Sequence, residues 1–194
     1  GYRRAPRFDV GAGLERLAEV LAGQGCTVEL LFVTSLKDSS VADGVAEYLR
    51  RAKPDVVLTA TCFSARGILG VSPLDGAGVS VLQVLQPGST QALWDKSARG
   101  LGRSDLAMQV VLPELDGTIA TFPISFRQEA APGLPAQRVA YEPGIAMLAA
   151  RAMAWARLRH ISAGQKQVGI VLSDYPGAGL EQAGAHVAHA VGLD

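Results

Sequence analysis

Short, nearly continuous apolar runs alternate along this chain with stretches of helical periodicity. That alternation limits it to a sheet whose strands are joined by crossover helices. Leu14, Leu17, Ala18 and Leu21 have the spacing of one helical face over residues 12–24, and Gly25 follows as a C-terminal cap. Val28-Glu29-Leu30-Leu31-Phe32-Val33 then reads as a strand buried on both faces. A second helix, capped by Ser39 or Ser40, carries Val41, Val45 and Leu49 on one face until Pro54 breaks it. Val56-Val57-Leu58 is the next strand, and Val79 to Leu85 the third, at spacings of roughly 25 residues.

The second half changes pattern. Ser104 can cap a helix through Leu106, Ala107, Val110 and Val111, which Pro113 should end because it has no N–H to donate. Asp116-Gly117 is a tight-turn dipeptide. Beyond it Ala120, Phe122, Ile124 and Phe126 alternate with polar or small residues, a half-buried strand that Pro123 confines to a sheet edge. A long helix starts with Pro143 in its first turn and carries Ile145, Leu148, Ala152 and Trp155 on one face. Val168 to Leu172 reads as a last buried strand.

The fold class expected is α/β, with a mostly parallel sheet and helices on both faces. It corresponds to half of a doubly wound, flavodoxin-like domain with an added helix and edge-strand region. Residues 1–126 form that domain, with a truncated first strand, since residues 1–10 hold several charges and a proline. Residues 127–142 are a linker, and 143–194 a helix, strand and tail leading into the next domain of a longer protein. A sheet edge left unpaired favours self-association, so a homodimer through that edge is an expectation.

Composition narrows the function. Eighteen basic residues balance eighteen acidic ones, which gives no electrostatic footprint for nucleic acid. No apolar run is long enough for a membrane span, and the N-terminus has no secretory pattern. Cys26 and Cys62 stand far apart in apolar surroundings and read as buried reduced thiols, which suits the cytoplasm. There is no Gly-x-x-x-x-Gly-Lys-Ser/Thr loop for ATP, no Gly-x-Ser-x-Gly elbow, and no cysteine and histidine spacing for zinc. His186 and His189, three apart, make a weak metal pair, while His160 ends the long helix, where a cation suits the dipole.

Five blocks of residues carry a resemblance. The main one runs from Leu82-Gln83-Val84-Leu85 through Trp94, Arg99-Gly100-Leu101, Ser104-Asp105-Leu106-Ala107-Met108 and Leu112-Pro113-Glu114-Leu115-Asp116-Gly117 to Phe122-Pro123-Ile124-Ser125-Phe126. Upstream lie Phe32-Val33-Thr34-Ser35-Leu36-Lys37-Asp38 and Thr59-Ala60-Thr61-Cys62-Phe63-Ser64, and downstream Val171 to Pro176 and Ala190 to Asp194. Together, in this order, they resemble the family of cobaltochelatase large subunits and magnesium chelatase H subunits. The segments Gly67–Gly78, Arg127–Arg138 and Gly177–His189 depart from it.

The resemblance implies an internal fragment of a porphyrinoid-binding subunit that inserts a divalent metal into a tetrapyrrole, with Co²⁺ as substrate. ATP and Mg²⁺ would be used by separate AAA+ ATPase partners and not bound here, and the fragment alone would be inactive. The block around Arg99 is closer to the cobalt branch, with insertion into hydrogenobyrinic acid a,c-diamide for cobalamin. The rivals are a magnesium chelatase subunit acting on protoporphyrin IX, and a non-catalytic scaffold for the ATPase subunits.

Metal insertion needs a base for the pyrrole protons and ligands that release the ion, and carboxylates supply both. Glu114 and Asp116 are the catalytic candidates, with Glu114 also the metal ligand. The same Pro-Glu-Leu-Asp-Gly run is also a good helix stop. Ser35, Lys37 and Asp38, then Thr61 and Ser64, follow expected strand ends, where ligands gather in open α/β sheets. They are the substrate-binding candidates, with Trp94 as a possible stacking surface, although Asp38 with Ser39 and Ser40 is also a natural helix start.

Overall fold

The computed structural model describes residues 11–67, 70–98, 100–129 and 137–170. The chain divides into two compact units, residues 1–160 and 161–194. Within the second, the described residues hold one 3-10 turn, Ala163–Gln165, opened by Ser162.

In the first unit, helix α1 spans Ala12–Gly23. Gly25, at φ +90°, ends it as expected: its N–H reaches Ala22 O and the Cys26 N–H reaches Leu21 O, the paired bonds of a Schellman ending. Helix α2 spans Ser39–Ala52. Its cap is Asp38 rather than a serine; the carboxylate accepts the Ser40 N–H at 3.0 Å and the Ser40 hydroxyl at 2.8 Å. Strand β1 is Val57–Thr59 and β2 is Val81–Leu85. A 3-10 turn, Pro73–Ala77, lies between them, closed by a reciprocal Ser72 and Asp75 capping box. A short helix α3 (Gln91–Lys96) follows.

Helix α4 (Arg103–Leu106) then runs without a break through a π segment, Ala107–Val111, into α5 (Leu112–Glu114). Its cap is Gly102, and Ser104 lies inside the first turn instead. Pro113 does not end the helix where expected; the turn before it widens. In a tight α turn the proline ring would meet the carbonyl four residues back, and a π turn moves that carbonyl aside. The Leu112 N–H accordingly bonds Ala107 O, five residues back.

Strand β3 (Ile119–Pro123) completes a parallel sheet in the order β1-β2-β3, which leaves Pro123 on an edge strand as expected. The expected strand through Phe126 is in fact two. The chain turns at the fully buried Ile124 and continues as β4 (Ser125–Arg127), antiparallel to β5 (Arg138–Ala140). The segment expected as a linker therefore contains a strand, because Arg138–Ala140 pairs with the preceding strand, Arg138 opposite Arg127 and Ala140 opposite Ser125. Helix α6, Glu142–His160, has Pro143 in its first turn, and His160 at its end meets Asp55 at 2.8 Å.

Helices cover both faces of the sheet. On one face Leu17 and Leu21 of α1 and Ile145, Leu148, Ala149 and Ala152 of α6 pack on Leu82 and Val84. On the other, Val45 and Leu49 of α2 pack with Leu36, Ala65 and Leu74, against which Val57 and Val81 lie. The alternation of side chains along β2 feeds both clusters.

Two expected strands are absent from the described ladders. Residues 28–33 alternate between half-buried and exposed, with Leu31 49% exposed, and Glu29 turns outward to the Tyr48 hydroxyl. An apolar run with one charge in it has a wet face, and here it joins no strand. Val168–Ile170 is likewise exposed; apolar sequence cannot make a strand without a ladder partner, and none pairs with it among the described residues. Residues 1–10, Val171 and Leu172, and His186 and His189 lie outside the described residues.

Candidate functional site

Because β1, β2 and β3 run parallel, the segments leaving their C-terminal ends share one edge of the sheet. The segment after β1 is held there by a carboxylate 52 residues later. Asp116, with only 2% of its side chain exposed, accepts the Ser64 hydroxyl at 2.6 Å and the Ala65 N–H. The Arg66 guanidinium lies 3.4 Å away. A buried carboxylate is tolerated when it is hydrogen-bonded and a cation is near, and both conditions hold here.

A second anchor follows from the wide turn. A π register would take the next bond from residue 113 to Met108 O, but Pro113 has no N–H. That carbonyl accepts the Phe63 N–H instead, at 2.9 Å. Phe63 stands at φ +69°, a region bulky L-residues rarely occupy, and the residue is 54% exposed. Neighbouring residues are thus pinned at two points, Phe63 to the π segment and Ser64 and Ala65 to the turn just past α5. This loop also lifts Cys62 to the surface, contrary to the buried thiol expected, while Cys26 is half-buried; both are free.

A polar network spans the same edge. Asp105 accepts the Gly88 N–H at 2.8 Å and the Gln109 amide at 2.9 Å. Gln109, buried in the π segment, accepts the Gln86 N–H at 2.7 Å and donates to Gln86 O. Arg138 of β5 reaches Ser125 Oγ at 3.0 Å and Pro87 O at 2.9 Å. Burial pushes its guanidinium below the usual arginine range, and Asp105 pulls it back. Although Cys62 is exposed as a residue, its thiol is partly desolvated, which pushes its pKa up, with Asp105 adding to the rise and Arg138 opposing it. Gln83, 1% exposed, donates to Thr61 O at 3.0 Å, while its Oε1 has no partner among the described residues.

The residues singled out in the sequence meet different fates. Ser64 and Asp116 come together. Thr61 joins the same edge, its hydroxyl 2.8 Å from that of Thr59. Glu114 is exposed at the end of α5; its backbone carbonyl accepts the Gly117 N–H at 2.9 Å, while its carboxylate makes no hydrogen bond or ion pair to a described residue. Ser35 accepts the Lys37 N–H at 3.2 Å, Lys37 is exposed, and Asp38 is a helix cap whose acidity the Ser40 hydroxyl and the Ser40 and Val41 amides increase. Leu36 between them belongs to the same buried cluster as Ala65, so the two loops are joined through that core. Trp94 packs at 5.6 Å on Phe126, which in turn meets Tyr141 edge-on at 5.1 Å, so its ring is half-buried.

Arg138 had no short-range signal, its partners lying 13 and 51 residues away; Asp105 and Gln109 stand four apart as a helical pair, but their anchors at Gly88 and Gln86 lie 17 and 23 residues back. No group of three or more His, Cys, Asp or Glu side chains is placed to hold a metal ion among the described residues. An open hollow of about 470 Å³, flanked by Ser89, Thr90 and Arg127, contains none of the predicted site residues. No helix among the described residues is long and apolar enough to cross a membrane.

Known proteins agree with this arrangement. A sequence model described as CobN/Magnesium Chelatase matches residues 8–194. An aerobic cobaltochelatase subunit CobN from Sinorhizobium sp is 33% identical over 183 residues, which covers 90% of this chain and 14% of that protein. A protein of the same name from Pseudomonas aeruginosa is 32% identical over 190 residues, covering 94% of this chain and 15% of its own length. A solved structure, the catalytic subunit of cobaltochelatase from Mycobacterium tuberculosis, aligns with a TM-score of 0.69 at 26% identity, over 84% of this chain and 14% of that one. The chain therefore spans about one-seventh of these relatives. With a match running over residues 8–194 and the parallel sheet shared with a solved relative, the chain belongs to the CobN/magnesium chelatase family.

Proposed function

We propose that this chain is a stretch of the porphyrinoid-binding large subunit of an ATP-dependent cobaltochelatase. The whole complex would insert Co²⁺ into hydrogenobyrinic acid a,c-diamide, a metal chelatase reaction of cobalamin synthesis. The names of the relatives favour cobalt over magnesium. AAA+ partner subunits would hydrolyse ATP with Mg²⁺, consistent with the missing P-loop. The assembly would act in the cytoplasm, with self-association through the β1 edge of the sheet as a further element of this reading.

One observation carries the assignment of roles. Two carboxylates lie two residues apart, and only Glu114 has its oxygens free for a proton or a cation. Exchange of two pyrrole protons for Co²⁺ needs such a group, and Glu114 receives a proton or holds the entering ion while the ring opens to it. With no second acidic or imidazole group clustered about it, Glu114 would share the ion with groups outside this stretch. Asp116 and Ser64 position the loop, and Thr61 acts through the strand end. Ser35 and Lys37, exposed at the neighbouring loop, face the substrate's amide and carboxylate arms. Asp38 and Trp94 serve the scaffold.

The test is cobalt insertion by the full-length subunit with its ATPase partners, comparing wild type with Glu114→Gln. The expected loss is about 10²-fold or more in rate, with tetrapyrrole affinity unchanged. An unaltered insertion rate would remove Glu114 from the chemistry.

A further inference from the structure

We infer that Phe63 is a ring-contact residue, an aromatic face presented to the tetrapyrrole macrocycle. The inference rests on the functional reading above and adds a named contact to it.

The argument begins with backbone conformation. Two non-glycine residues among those described have positive φ, Lys53 and Phe63. Lys53 ends α2 with its N–H on Leu49 O, an ordinary helix termination. Phe63 ends no helix. A glycine there would satisfy the same backbone without strain and donate the same N–H to Met108 O. The backbone conformation itself gives no reason for a phenylalanine, and the residue is 54% exposed and contributes to neither buried cluster. The fold holds a bulky residue in an unfavourable conformation and points it outward. It does so with two anchors, the Met108 carbonyl and the Asp116 carboxylate on Ser64 and Ala65.

The occupant is argued from the helical segment to which Phe63 is tied. The helical segment that accepts the Phe63 N–H goes on to the exposed Val111 and Leu115, and to Glu114, whose carboxylate has no partner among the described residues. An aromatic face, an apolar margin and one carboxylate suit a flat conjugated ring whose central N–H groups must meet a base. Offset stacking on Phe63 would hold such a ring while leaving its centre open to Glu114.

The experiment is a fluorescence-quenching titration of the full-length subunit with hydrogenobyrinic acid a,c-diamide, alongside thermal unfolding, for wild type, Phe63→Gly and Phe63→Trp. Phe63→Gly is expected to raise Kd about tenfold while leaving Tm unchanged or higher, because glycine relieves the left-handed strain. Phe63→Trp should bind within about twofold of wild type, since it keeps the aromatic face. A wild-type Kd in Phe63→Gly overturns the inference, and a lowered Tm with unaltered Kd does so by assigning the side chain to packing within the subunit. Wild-type protein that fails to bind the ring at all would instead sink the functional reading.

Discussion

Glu114 and Asp116 are two positions apart and chemically alike, and the fold gives them opposite work. Asp116 turns inward, where a hydroxyl, an amide and a guanidinium fill its lone pairs; Glu114 stays in solvent. Both were visible as acids in the sequence, but which one is engaged depends on Ser64 and Ala65, some fifty residues back, so that distinction was not legible. Glycine roles were equally hidden. At Gly144 an added Cβ would overlap the Pro123 carbonyl, and at Gly13 it would come within 2.8 Å of Ser125 Cβ. These two glycines let α6 and α1 close onto the bend between β3 and β4. Gly144→Ala should therefore cost about 3 kcal/mol or more, since backbone and not a flexible side chain must move. Thermal unfolding would read this as a fall in Tm of roughly 6–12 °C, and an unchanged Tm would mean that α6 sits less tightly than described.

At the scale of elements, local signals served where the chain decides its own conformation. The ends of α1, the proline start of α6 and the apolar face Ile145, Leu148 and Ala152 were legible because caps and periodicity act within a few residues. The split at Ile124 was not, since a strand that changes partner looks continuous in its alternation. The π segment was missed for a related reason: Pro113 announces a disturbed helix without saying whether it stops or widens. The cap of α2 lends itself to a pH test. The Ser40 hydroxyl and backbone amides lower the pKa of Asp38, so its stabilising effect is complete above the usual aspartate range. It fades only as pH falls through the depressed folded value. Asp38→Ala should lower Tm at neutral pH and converge on wild type in strong acid. Asp38→Asn, which keeps an acceptor, should stay closer to wild type throughout. Parallel Tm curves for wild type and Asp38→Ala down to strong acid would remove the carboxylate from the cap's energetics.

For the whole molecule, the alternation of apolar runs was enough to indicate an α/β sheet with helices on both faces, because that arrangement is the general solution for such a pattern. The site edge was legible only as a location. Gln83 is brought there by the parallel ladder, Gln109 by the helical segment that follows β2, and Arg138 by the pairing of β5 with β4. The same sandwich has a consequence in time. Strand β2 lies between β1 and β3 and is flanked by a helical layer on either face, so it has no side from which to open alone. Either layer can loosen while the other still shields the ladder, whereas release of the β2 amides requires both to part. Under hydrogen exchange, Leu82 to Leu85 should be the last protons lost, at the rate of global opening, with α2 and the Pro73–Ala77 turn exchanging earlier as a partial unit. Mass spectrometry after increasing exchange times would order these segments, and earlier loss from β2 than from α2 would show that the two layers part before either unravels. The slowest clock in the protein would then be set by its middle strand, which carries the buried amide of Gln83 at its centre.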